Sequence, residues 1–130
     1  MTKTAGRRYE GFVPGRHLID AYGAGGFRFA EMSHRGSILA LPSGVHAWAV
    51  EDIASLTVES LGPVLAEAGA IDVLLLGTGG EVRFIPDGIR ARLREAGIGV
   101  DGMQTGAAAR TYNVLAAENR RVAAALIAVP

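Results

Sequence analysis

The chain has 130 residues, 49% of them hydrophobic, and its 13 basic and 13 acidic side chains cancel to a formal net charge of zero. That length suits one compact core and is too short for two ordinary domains. The balanced charge, with twelve arginines scattered from Arg7 to Arg121 beside a single lysine, Lys3, argues against a nucleic-acid partner, and the absence of cysteine excludes a disulfide framework, a thiolate nucleophile and Cys-ligated zinc.

Met1 to His17 is polar and arginine-bearing with no apolar stretch behind it, so it does not read as a secretory signal. No apolar run approaches the ~18 residues that a membrane-spanning helix needs, and the expectation is a soluble, cytoplasmic protein with no membrane insertion. Residues 1–15, ending at Pro14-Gly15, lack periodicity and read as a loose N-terminal arm from which Tyr9, Phe12 and Val13 can dock; residues 16–130 read as a single α/β domain.

From the arm to Val50 the pattern is β-like. Leu18 to Tyr22 alternate, Phe27 and Phe29 alternate with Arg28 and Ala30, and Ile38–Leu41 and Val45–Val50 form two further runs. Turns are expected at 23–26, at Ser33-His34-Arg35-Gly36 and at Pro42-Ser43-Gly44, where proline presets the second position of a tight hairpin. The second half changes period. Thr57 is placed to cap a short turn ending near Gly62, Pro63 to open a helix through Glu67, and Gly69 to end it. Ile71 to Leu76 is a continuous apolar run of strand length, the pattern of a strand covered on both faces and expected at the centre of the sheet. A short β segment is expected over Glu81 to Ile85. Pro86-Asp87 then starts a helix that turns Ile89, Leu93 and Ala96 to one face and Arg90, Arg92, Arg94 and Glu95 away, with Gly97 as its left-handed end. Ile98 to Met103 reads as a strand, Thr105 as an N-cap, Gly106 to Glu118 as a helix stopped by Asn119, and Arg121 to Val129 as a final strand.

Chemistry is sought first at Gly77-Thr78-Gly79-Gly80, because glycines after a buried strand let backbone N–H groups converge on an anion and Thr78 adds a hydroxyl. The run lacks the third glycine of a dinucleotide fingerprint, with Val82 in that place, and the Gly-Lys-Ser/Thr of a phosphate-binding P-loop. Arg83 and Arg110 can close such a pocket through their guanidinium forks, or Arg110 can be offset by Asp101. Asn113, in a small and apolar stretch, is expected to hydrogen-bond to a loop backbone. The candidate ligand-binding set is therefore Gly77, Thr78, Gly79, Gly80, Arg83, Thr105, Arg110 and Asn113. His17, His34 and His46 lack metal-pair spacing, so neither a metal nor a cofactor is assigned. Ser33, Ser37 and Ser43 lack a nucleophile elbow, and Asp20, Glu31, Asp72 and Asp101 supply no carboxylate pair on spacing alone; no catalytic residue is assigned.

The segments 74–79, 97–100 and 105–115 together resemble the family of small single-domain proteins related to mitochondrial complex I assembly factor three and to the adipogenesis-associated domain protein of animals. The resemblance runs from about Tyr9 to the C-terminus. It implies a three-layer α/β fold with a central mixed sheet, a smaller antiparallel β layer and packed helices. Two functions stand side by side. The preferred one is a non-enzymatic interaction or assembly module, linked by the resemblance to respiratory complex I assembly, that binds a protein partner through an exposed patch to which the Trp48 region can contribute; Trp48 itself, with Val50 on the same strand face, reads as core or interface rather than as a stacking platform. The alternative is a small anionic-ligand-binding protein or enzyme using the Gly77–Gly80 loop. A homo-oligomer is compatible with either.

Overall fold

The computed structural model describes residues 11–130; the first ten residues, Tyr9 among them, lie outside the described residues. Nine strands are described: β1 (Phe12–Pro14), β2 (Ala21–Gly23), β3 (Gly26–Phe29), β4 (Met32–Arg35), β5 (Ser37–Leu41), β6 (Gly44–Trp48), β7 (Val73–Gly77), β8 (Gly99–Met103) and β9 (Val122–Leu126). Three α-helices accompany them: α1 (Gly62–Ala66), α2 (Asp87–Glu95) and α3 (Thr105–Ala117). Six strands form a mixed sheet in the order β1-β6-β5-β9-β7-β8, and β2-β3-β4 form a separate antiparallel sheet.

The apolar run at 71–76 explains the layering. In β7, Leu74 and Leu76 point into a core shared with Leu61, Val64, Ile89 and Leu93, whereas Leu75 points into one shared with Phe27, Phe29, Ala108 and Tyr112. Alternation of side chains across the pleat thus feeds two cores from one strand. One face carries α1 and α2; the other carries α3 and the small sheet. β9 is Val-Ala-Ala-Ala-Leu, buried throughout, and its small side chains let α3 approach through Ala108, Ala109 and Ala116. Both β8 and β9 run parallel to β7, joined through α2 and α3 as βαβ crossovers. The layered α/β fold expected from the residue pattern is the fold observed.

Several local expectations need correction. Phe12–Pro14, assigned to the loose arm, is an edge strand on β6, with Val13 opposite Val45; proline is tolerated there because an edge N–H has no ladder partner to lose. Strand structure near Leu18 begins only at Ala21. Of the turn expected at 33–36 only Gly36, at φ 100°, bends the chain, between β4 and β5; Ser33 to Arg35 belong to β4, and the β3–β4 reversal falls at Ala30-Glu31, with φ of 52° and 61°. Such two-residue turns favour Asn and Gly, so Ala-Glu carried no turn signal. Glu81–Ile85 is not a strand: it lies over β8 on the side to which a Gly102 side chain would point, rather than in the ladder. β7 is interior but second from the edge, since the α3 crossover inserts β9 between it and β5. Arg90 does not simply face water: its Nη1 donates to the Val100 carbonyl at 3.1 Å. Other signals hold as read, including Gly97 at φ 85° and Asn119 at φ 59° ending α2 and α3. Among the described residues no helix is long and apolar enough to cross a membrane.

Candidate functional site

The exit of β7 meets the start of α3 at very short range. A Cβ on Gly77 would lie 2.9 Å from Thr105 Cα and 3.0 Å from its Oγ1, so only glycine fits. Thr105 is fully buried, and it is the first residue of α3; Gln104, in extended conformation, occupies the N-cap that the spacing assigns to Thr105. The Thr105 hydroxyl does a different job. It donates to the Ile127 carbonyl at 2.7 Å and accepts from the Gly79 N–H at 3.0 Å, while the Thr105 N–H donates to the Gly79 carbonyl at 2.9 Å. One side chain thereby ties the β7 loop, the α3 start and the chain leaving β9.

Thr78 closes the loop from its other side. Its N–H donates to the Met103 carbonyl at 2.9 Å, and its hydroxyl donates to the Glu81 carbonyl at 2.6 Å and accepts from the Arg83 N–H at 3.2 Å. The N–H groups of Thr78 and Gly79, on which an anion cradle would draw, are therefore occupied within the chain. The loop borders an open cleft of about 550 Å³, where, among the described residues, Glu51, Asp52 and Glu81 stand against the one guanidinium of Arg83. That charge balance opposes an anion. Arg83 is itself paired with Glu81 at 3.4 Å.

Four of the eight candidate residues, Thr78, Gly79, Gly80 and Arg83, line this cleft; Gly77 and Thr105 pack against each other without lining it, and Arg110 and Asn113 do not line it either. Arg110 is exposed on α3, and among the described residues it forms no ion pair with Asp101. Asn113 binds one backbone at both ends: Oδ1 accepts from the Ile19 N–H and Nδ2 donates to the Ile19 carbonyl, each at 2.8 Å. This is the loop-backbone bond that its setting predicts. Nearby, Tyr112 is buried, and desolvation pushes its phenol above the usual value, opposed by the charge of Arg16.

The histidines are spent separately: His17 on the Pro14 carbonyl, His34 on the Ser37 carbonyl, and His46 on the Ser43 hydroxyl and the Phe12 ring. Among the described residues no group of three or more His, Cys, Asp or Glu is arranged to hold a metal. Trp48 is core, one of the two roles its strand face suggests: with Val50 it is buried, 7% exposed, and its Nε1 donates to the Ser60 carbonyl at 2.8 Å, so it offers no docking patch. The exposed apolar surface lies elsewhere. Phe84 is 99% exposed and Val82 65%, on the segment just beyond the glycine loop. Ile85, 4% exposed, anchors that segment with its Cδ1 2.9 Å from where a Cβ on Gly102 would stand. The alternation Val82, Phe84 was the available signal, and strand periodicity masked it.

Fold and site together define a layered α/β protein whose glycine loop is bonded into its own core and whose apolar display lies beside that loop. A family model described as a protein of unknown function (DUF498/DUF598) matches residues 19–127, and the chain belongs to that family. An uncharacterised protein of Rhodobacter capsulatus is 40% identical over 124 residues, covering 95% of this chain and 93% of that one. The NADH dehydrogenase [ubiquinone] 1 alpha subcomplex assembly factor 3 of Danio rerio is 33% identical over 113 residues, 87% of this chain but 65% of the assembly factor. A crystal structure from Bartonella henselae, described as an outer membrane protein, superposes with a TM-score of 0.87 at 53% identity, covering 90% of this chain and 98% of that one.

Proposed function

We propose that this protein is a non-enzymatic assembly module of the cytoplasm, linked to the building of respiratory complex I, that docks a protein partner through Val82 and Phe84. The observation that carries the reading is the nearly complete exposure of Phe84 beside an exposed Val82. Burying a side chain of that size is worth about 1.5–3 kcal/mol, which a docked partner would recover. The segment adjoins β8, one of the two edge strands of the large sheet. The kinship with assembly factor 3 supports the assembly role, although the chain spans only 65% of the Danio rerio relative. The occupied N–H groups of the glycine loop support a structural rather than chemical role for Thr78 and Thr105.

Affinity capture of the tagged protein from its native cells, with partners identified by mass spectrometry, tests the proposal. Complex I subunits or their assembly components are expected. Recovery of no stable partner under crosslinking would remove the assembly reading.

A further inference from the structure

The small sheet shows its two faces to different surroundings. Phe27, Phe29 and His34 turn inward and are buried, and Tyr22, opposite Phe27, has its hydroxyl 2.2 Å from where a Cβ on Gly106 of α3 would stand. The alternate residues must therefore face out. They are Ala21, Gly23 and Gly26, which form a bare floor, and Arg28, Ser33 and Arg35, which stand on it. Gly26 cannot carry a side chain, because a Cβ there would lie 2.0 Å from the His34 carbonyl oxygen. The result is an open concavity of about 600 Å³, within the size range of small-ligand sites.

Its charge is of one sign. Among the described residues no carboxylate lines it, and the four ion pairs leave out Arg28 and Arg35. Arg28 lies opposite Ser33 and Gly26 opposite Arg35, so the two arginines are diagonal neighbours on one face. Such neighbours stand ~7–8 Å apart, a span that two guanidinium forks close around one oxyanion. Arg28 Nη1 donates to the Ser33 Oγ at 2.6 Å, which fixes the guanidinium and leaves the serine proton to donate outward.

We propose that this outer face binds a phosphate monoester carried on a small, flat, apolar body. The phosphoryl group sits between Arg28 and Arg35 with the Ser33 hydroxyl donating to it, and the body lies over Ala21, Gly23 and Gly26. This site is separate from the Gly77–Gly80 loop and from Phe84, so it stands or falls independently of the assembly role.

The test is a titration followed through backbone amide NMR signals, with phenyl phosphate as probe and inorganic phosphate and phenol as its two halves. Phenyl phosphate is expected to shift amides of β2–β4 saturably while those of residues 77–80 stay in place; inorganic phosphate shifts the same amides more weakly, and phenol does not. Arg28→Gln and Arg35→Gln, both at exposed positions, are each expected to weaken binding about tenfold or more. No saturable shift in β2–β4 by about 10 mM probe, an affinity unchanged in both variants, or phenol matching phenyl phosphate would overturn the proposal.

Discussion

Replacing Thr105 by valine keeps the shape of a fully buried side chain and removes only its hydroxyl. That hydroxyl holds the Ile127 carbonyl at 2.7 Å and the Gly79 N–H at 3.0 Å. Val has the volume of Thr, and both bonds are buried, so the two groups are left without a partner. Each buried, unsatisfied backbone group costs about 1–3 kcal/mol, so Thr105→Val, which strands two, is expected to lose roughly 2–6 kcal/mol. Thr105→Ser keeps both bonds and gives up one methyl, worth about 1 kcal/mol. Against a typical stability of about 5–15 kcal/mol, the valine variant still folds over most of that range. Urea unfolding followed by fluorescence of Trp48, the single tryptophan, measures both. A valine variant within about 1 kcal/mol of the serine variant would refute the assignment of Thr105 as the tie between the three segments.

Gly77→Ala places a methyl group 2.9 Å from Thr105 Cα and 3.1 Å from Leu126 Cδ2, and overpacking of this kind is expected to cost about 1–3 kcal/mol by the same urea assay; a neutral result would show that the β7 exit yields easily. Tyr112 gives a pH prediction. Its phenol titrates higher in the folded chain than the ordinary 10.0 of a tyrosine, so the folded state holds the proton more tightly, and this contribution is complete below pH 10 and is lost as pH rises through the folded value. Relative to Tyr112→Phe, the wild-type chain is therefore expected to lose stability on going from pH 8 to pH 11. Parallel pH dependence of the two urea midpoints would contradict burial as the cause of the shift.

Much of this fold was legible in the residues because its strongest signals are apolar periodicity and backbone stops. The run at 71–76 tolerated no reading but a strand, and Pro86, Gly97 and Asn119 marked helix ends by restricting or freeing φ. What escaped notice depends on contacts distant in sequence. Whether Phe12–Pro14 forms a strand is decided by β6, and whether Glu81–Ile85 does is decided by its packing over β8 and its bond back to Thr78. Ala30 and Glu31 enter left-handed conformations because the pairing of β3 with β4 demands it, a demand no local propensity reveals. The candidate site divided along the same line. Proximity of Gly77–Gly80 to Thr105 followed from βαβ order, whereas the use of their polar groups on each other depends on ångström-scale placement. Trp48 is large and amphipathic, so composition alone could not say whether its N–H met water or the Ser60 carbonyl.

The central claim is that the exposed pair Val82 and Phe84 is the working surface. The most direct test is the amount of partner co-purified by the double variant Val82→Ser/Phe84→Ser, scored against wild type after its urea midpoint is matched. Exposed substitutions of this kind should leave stability within about 0.5 kcal/mol, and partner recovery is expected to fall at least about tenfold, the loss of roughly 1.4 kcal/mol or more of docking energy. Full partner recovery by a variant of unchanged stability would contradict the account.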